Sequence, residues 1–511
     1  MARKTLPVAT VLAAAAVAGA AACSSSHSSS STTPTADAGG DAAMPFQADS
    51  PQVYVAKVKN LLVGQPPTDA EVKAVESDPT QLASLIGQWQ QQPEYQTKML
   101  RFFELALQQT QVSSTDFADQ AYPQQLDANQ YTGAALLENL QESFARTAND
   151  FAQNNQPMTG VVTSHQVMMT TALKELYAFL DVWEVSDTTN SPSNVKVTDY
   201  WKQANPNQTI TVEASAGPIP ISETLDPSSP NYMHWYYPDL AKIDMGVAGC
   251  QSDPLVFPAK GGSGTQGASA MTLHWLLLGA LEGHQSTSGG KCQQYGGGSM
   301  DSQFQTGDFS DWQLVTIRQP MQGEKTTTFY DLPTLRTSST LVLNQPRTGF
   351  FSTPAFFANW QTNTSNTMRV TLNQTLIVAL GSSVDGTDTT TPSSLPGLDM
   401  THVTQAACEG CHKQLDTTRS ILAATWSWNY HQQQDATYSS QPGLFAFRGV
   451  INQNIKTIDD FASTLATHPY FASAWVQKLC YYANSSPCVE TDPVFTQIVK
   501  DFQSSNYNWN S

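Results

Sequence analysis

The chain has 511 residues, with 43 acidic against 25 basic side chains and a formal net charge of −18. That length is enough for about two to four domains. The charge excludes a nucleic-acid binder, which needs a basic face against phosphates. Hydrophobic residues make up 40% of the chain, enough for packed cores. Past the N-terminus no apolar run reaches the roughly 18 residues of a membrane helix, which excludes a polytopic membrane protein.

Residues 1–22 read as an export signal. Arg3 and Lys4 precede an apolar stretch from Leu6 to Ala22, which ends in Ala20-Ala21-Ala22-Cys23. Small residues before a cysteine predict a bacterial lipoprotein signal, with Cys23 lipidated at the mature N-terminus; the alternative is an ordinary secretory signal cleaved nearby. Ser24, rather than Asp, follows the cysteine and favours the outer membrane. Residues 23–50 are Ser, Thr, Ala, Gly and Asp with few large apolar side chains, and predict a flexible tether.

Residues 51–185 predict an N-terminal helical domain. Pro66-Pro67 ends one element, and Thr68 with Glu71 has the spacing of a capping box. Met99, Phe102, Phe103, Ala106 and Leu107 recur at helical spacing, as do Val167, Met168, Ala172, Leu176 and Phe179 in a helix expected near 165–183. The Met168-Met169 pair and His165 are expected in the core rather than on a metal. Residues 186–310 form a loop-rich middle region with a short strand at Gln208–Ala214. Its buried helix is Met271–Leu281, which is apolar on nearly every face. His274 and His284 flank Glu282 without the spacing of a zinc motif.

A cytochrome-like domain is expected over 311–440 and a small C-terminal helical domain over 441–511. Leu314–Ile317 and Leu341–Leu343 predict strands. Residues 368–380 are mixed helix or strand, and 382–398 read as a linker-like loop whose aspartates do not complete an EF-hand. Helices are expected near 417–428, 457–466, 470–484 and 493–503. The fold class is therefore mainly α with small irregular β insertions (α+β), multi-domain, with a cytochrome c-like helical segment.

The seven cysteines are Cys23, Cys250, Cys292, Cys408, Cys411, Cys480 and Cys488. With Cys23 given to lipid and Cys408/Cys411 to a motif, nearest neighbours pair as Cys250/Cys292 and Cys480/Cys488. Four cysteines allow three connectivities. Cys408-Glu409-Gly410-Cys411-His412 is CxxCH, the attachment signature of c-type haem. In that signature two thiols add to the haem vinyl groups and the adjacent imidazole reaches the iron. Composition predicts roughly 0.002 such matches by chance. A redox disulfide and half of a zinc site remain as alternatives. For the second axial position the candidates are His431 and Met400, then His468, His402 and Met368, or an open or water-ligated site; no Met follows Met400.

The segment from about 347 to 431 resembles the cytochrome-like domains of unknown function in large secreted proteins of planctomycetes, acidobacteria and myxobacteria. The residues that carry the resemblance are Arg347-Thr348-Gly349-Phe350-Phe351-Ser352-Thr353-Pro354-Ala355-Phe356-Phe357, Arg369, and the CxxCH with Leu415-Asp416. Lys59 to Glu71 is similar to the domain that precedes them, and Phe471, Lys478-Leu479, Tyr482 and Asp501-Phe502 to Tyr507 to the one that follows. Many relatives carry Met-Asp-Pro where this chain has Leu415-Asp416-Thr417, and a Cys often seen before the linker is replaced near Ala379. The resemblance implies one covalent haem c and an envelope role. The expectation is an exported envelope lipoprotein in electron transfer with a redox partner protein, touching the membrane through its lipid alone. A haem enzyme of peroxidase type and a cell-surface binding or scaffold protein are the alternatives. His234-Trp235-Tyr236-Tyr237 is compatible with sugar stacking in the last case.

Overall fold

The computed structural model describes residues 49–116, 130–185, 274, 277–278, 284–288, 291–295, 304–362, 366–400, 403, 406–423 and 443–510. The signal, most of the tether, the strand expected at 208–214 and the Trp/Tyr cluster at 234–237 lie outside the described residues. The structure is mainly helical with small sheets.

Four helices open the fold: α1 (Pro51–Val63), α2 (Asp69–Ser77), α3 (Gln81–Trp89) and α4 (Pro93–Leu107). Proline at the first position, whose missing N–H costs nothing there, starts α1 and α4. The capping box expected at Thr68/Glu71 forms: the Glu71 N–H donates to Thr68 Oγ1, and the Thr68 N–H donates to Glu71 Oε2 at 2.6 Å. Glu71 does more than cap. It takes the Lys59 ammonium of α1 at 2.8 Å and the Trp89 indole N–H of α3 at 2.9 Å, so one carboxylate joins three helices. The apolar face read on α4 is buried as expected, with Met99, Phe102, Phe103, Ala106 and Leu107 in the core.

α5 (Gln130–Gln153) and the short α6 (Gly160–Thr163) lead to a correction. The helix expected from 165 begins only at Thr171, as α7 (Thr171–Val185), because Gln166–Met169 is strand β1. β1 pairs antiparallel with β4 (Gln313–Arg318), which pairs parallel with β5 (Thr340–Val342). β1 is an edge strand, and α5 satisfies its open side. Ser143 Oγ donates to Met168 O at 2.6 Å, and the Met168 N–H donates to Thr147 Oγ1 at 2.8 Å. Two hydroxyls one helical turn apart thus stand in for a neighbouring strand. The loop-rich middle region contains paired strands β2 (His284–Ser288) and β3 (Lys291–Tyr295). Of the expected helix at 271–281, His274, Leu277 and Leu278 are described, and they are helical and fully buried.

After α8 (Leu332–Thr337), the Arg347–Phe357 stretch is a buried knot that runs into α9 (Pro354–Asn359). Gly349 is obligatory there: its φ is 62°, and a Cβ would lie 2.5 Å from the Val162 carbonyl oxygen. α10 (Arg369–Leu380) resolves the mixed segment as helix. It is followed by α11 (Ala406–Thr418), α12 (Ser420–Ala423), hairpin β6 (Gly443–Phe447) and β7 (Val450–Ile455), and helices α13 (Ile458–Thr467), α14 (Tyr470–Asn484) and α15 (Pro493–Ser504). Strand β6 is buried at every position. The two-residue turn Arg448-Gly449 has positive φ at both positions, as a primed hairpin turn requires.

Contacts cross the segment limits drawn at 310 and 440. Phe102 packs on Tyr482 and Trp509, Phe351 packs on Phe461, and the Met158 N–H donates to Tyr507 O. One continuous apolar core runs through these segments.

Burial pushes the Glu71 pKa up, but the Lys59, Thr68 and Trp89 hydrogen bonds outweigh it and hold the carboxyl down at about 2, against 4.5 ordinarily. A depressed folded-state value stabilises above the unfolded value and is lost as pH falls from about 4.5 to about 2. Glu71→Gln is therefore expected to cost about 2 kcal/mol at pH 7, and less at pH 3, by urea denaturation. An equal loss at both pH values would contradict the linkage.

Candidate functional site

The CxxCH motif lies on α11. Cys408 and Cys411 are half-buried and three residues apart, with His412 next to the second, so one helical turn carries all three groups. The helix is held from two sides. Thr418 Oγ1 donates to Leu444 O of β6 at 2.7 Å. At Gly410, inside the motif, a Cβ would come within 2.9 Å of the Gly386 Cα, so a glycine is needed for the two backbones to approach.

Gly386 belongs to the loop read as linker-like, and that reading is corrected. The loop is pinned to the β6–β7 turn: the Arg448 N–H donates to Asp388 Oδ2 at 2.8 Å, the Arg448 guanidinium pairs with Asp385, and the Gly449 N–H donates to Thr390 Oγ1 at 2.6 Å. The aspartates that fell short of an EF-hand are spent on this brace.

Asp416 organises the site. Its side chain is 0% exposed. Oδ1 takes the Arg369 Nε–H of α10 at 2.6 Å, with the Arg419 guanidinium at 3.6 Å. Oδ2 takes the Asp399 backbone N–H at 3.0 Å and faces His412 Nδ1 at 3.1 Å. A carboxylate flanked by two guanidinium groups is an acceptor, so His412 Nδ1 donates. A metal bound by this imidazole would therefore take Nε2. The Asp416 carboxylate behind it fixes the ring and makes it a stronger donor. Two thiols one turn apart beside an oriented imidazole fit covalent haem: Cys408 and Cys411 would form the thioethers and His412 Nε2 would meet the iron. For zinc, by contrast, further ligands are needed, and among the described residues no group of three or more His, Cys, Asp or Glu side chains is gathered to hold an ion.

Met400 is 69% exposed, sixteen residues before Asp416 in a stretch whose Asp399 amide touches the site. His431 and His402 lie outside the described residues. His468 is structural. Burial lowers its pKa, Nε2 lies 3.2 Å from Phe447 O, and Nδ1 accepts the Tyr470 N–H, which commits both nitrogens. Met368 is fully buried in the core. His165 is not a core residue: it is 46% exposed, with Nδ1 on Arg347 O and Nε2 by Asp459. His274 is buried against Glu175 at 2.9 Å and stacks on Phe179; burial raises the Glu175 pKa. The expected Cys480–Cys488 disulfide is present, with Cα atoms 5.6 Å apart. Cys23 and Cys250 lie outside the described residues, as does the Cys292 side chain on β3.

The part of Asp416 was missed in the sequence although a signal existed. His412 and Asp416 are four residues apart, which on a helix puts them on one face. The partnership with Arg369, 47 residues away, had no such signal. Comparison of the chain with protein-family models, curated proteins and solved structures finds no match.

Asp416→Ala leaves two guanidinium groups in a buried site without their shared anion, and is expected to cost about 3–5 kcal/mol in chemical denaturation. Cys480→Ser, which opens a loop of 8 residues, is expected to cost about 2–3 kcal/mol. Both are read from denaturant midpoints in the same buffer.

Proposed function

We propose that the chain is an exported electron-transfer protein that carries one haem c, attached through Cys408 and Cys411 with His412 Nε2 as one axial ligand. The observation that carries this reading is the CxxCH on a single helical turn with His412 Nδ1 bonded to a buried carboxylate. Haem in this position supplies a one-electron couple. The protein's part is to hold the imidazole and tune it: the Asp416 bond makes the ring electron-rich, which favours the ferric state and a low potential. His431 and Met400 are the proposed candidates for the second ligand. The Cys480–Cys488 disulfide supports an oxidising, extracytoplasmic compartment. Among the described residues no helix is long and apolar enough to cross a membrane, and the proposed anchor is lipid on Cys23. A redox partner protein is part of this reading.

The same His–Asp bond favours a second reading, a haem enzyme of peroxidase type, because an electron-rich imidazole at His412 would suit haem to peroxide chemistry. Spin state separates the two: a six-coordinate low-spin iron inert to peroxide supports electron transfer, and a high-spin iron with peroxide turnover supports the enzyme.

Protein made with a cytochrome c maturation system is expected to gain the mass of one haem, retain it through denaturation and show a c-type pyridine haemochrome spectrum. The double variant Cys408→Ala/Cys411→Ala should lose it. Asp416→Asn should keep the haem and raise its midpoint potential in a spectroelectrochemical titration. Correctly matured protein with no haem band rejects both haem readings.

A further inference from the structure

A cavity of about 730 Å³ opens between α4, α10, α14 and the loop closed by the Cys480–Cys488 disulfide. Its volume lies within the range of small-molecule sites. Phe102 and Leu105 of α4, Leu380 of α10 and Tyr470 and Tyr481 of α14 line it. Leu105, Tyr470 and Tyr481 are at least two-fifths exposed, so apolar side chains ring an accessible mouth. Lys478 of α14 enters the same space. Its ammonium lies 5.5 Å over the Trp475 ring, and among the described residues it has neither a hydrogen bond nor an ion pair. Glu490 also lines the cavity but sits exposed and makes no salt bridge to Lys478. A half-buried cation with one aromatic face and no anion is an unbalanced charge. Burial lowers its pKa to about 8, so it remains largely protonated at neutral pH.

We propose that this cavity binds a small organic anion, an aromatic or otherwise apolar body bearing one carboxylate. The carboxylate pairs with Lys478 and the body packs against Phe102, Tyr470 and Tyr481. Charge complementarity selects this occupant over a neutral or cationic one: the cavity offers an unpaired cation within aromatic walls, and its carboxylate stands at the rim. The proposal does not depend on haem and applies to the chain with or without it.

The test is isothermal titration of the full mature chain with 1-naphthoate, 1-naphthalenemethanol and 1-naphthylmethylamine. Naphthoate should bind with a sub-millimolar Kd and exceed the alcohol by roughly tenfold, with the amine weakest. Lys478→Met should bring naphthoate down to the alcohol, whereas Lys478→Arg should keep the preference. Leu105→Trp, at an exposed rim position, should block naphthoate and alcohol together without a change in thermal midpoint. Absence of naphthoate binding, equal binding of acid and alcohol by the unmodified chain, or a preference that survives Lys478→Met overturns the proposal.

Discussion

The buried carboxylate of Asp416 is the constraint on which the motif helix depends. A carboxylate removed from water costs several kcal/mol unless charge and hydrogen bonds replace its hydration. Here Arg369, Arg419 and the Asp399 amide replace it, and each comes from a different stretch of chain. The orientation of His412 follows from that arrangement. With both oxygens anchored by other elements, Oδ2 sits at a fixed point, and the imidazole one turn earlier on α11 meets it with Nδ1 at 3.1 Å. The ring is thus held by a carboxylate that distant parts of the chain fix in place.

The same economy recurs elsewhere. Only 13% of the residues are charged, and a notable share of those are inside. Glu71 gathers Lys59 and Trp89, Asp181 takes the amides of Asn344 and Gln345, and Glu175 holds His274. Each is an acidic group with partners from distant sequence. Such sites contribute little net stability against a well-packed apolar alternative, but they penalise every arrangement that leaves the charge unpaired. In this fold they mark the places where a helix meets another helix or a loop.

Close backbone approach is the second structural device. Gly349 seats the Arg347–Phe357 knot against α6, and Gly410 lets the braced loop pass over the motif helix. The loop reaches from that crossing to the Arg448-Gly449 turn, so the CxxCH helix and the β6–β7 hairpin share one support. The C-terminal helices in turn close on α4 through Tyr482 and Trp509, which ties both ends of the described chain to the core containing the knot.

Local chemistry was legible in the sequence. The capping box at Thr68/Glu71, the apolar face of α4, the helices from 457 onward and the short-range disulfide all depend on residues within a few turns of one another, and the structure carries each of them. The CxxCH was legible for the same reason, and so was the His412–Asp416 spacing. What the sequence hid is non-local. Gln166–Met169 has helix-compatible spacing and becomes a strand because β4 and two hydroxyls of α5 satisfy its backbone. The 382–398 segment has a linker's composition and becomes a brace because Arg448 is there to meet its aspartates. Arg369 reaches Asp416 across 47 residues, and no periodicity records that distance. Side-chain type and spacing determined which groups were present and which faces were apolar. Only tertiary packing decided which buried charges would find one another, because the cost of leaving them unpaired is felt only once the core has closed.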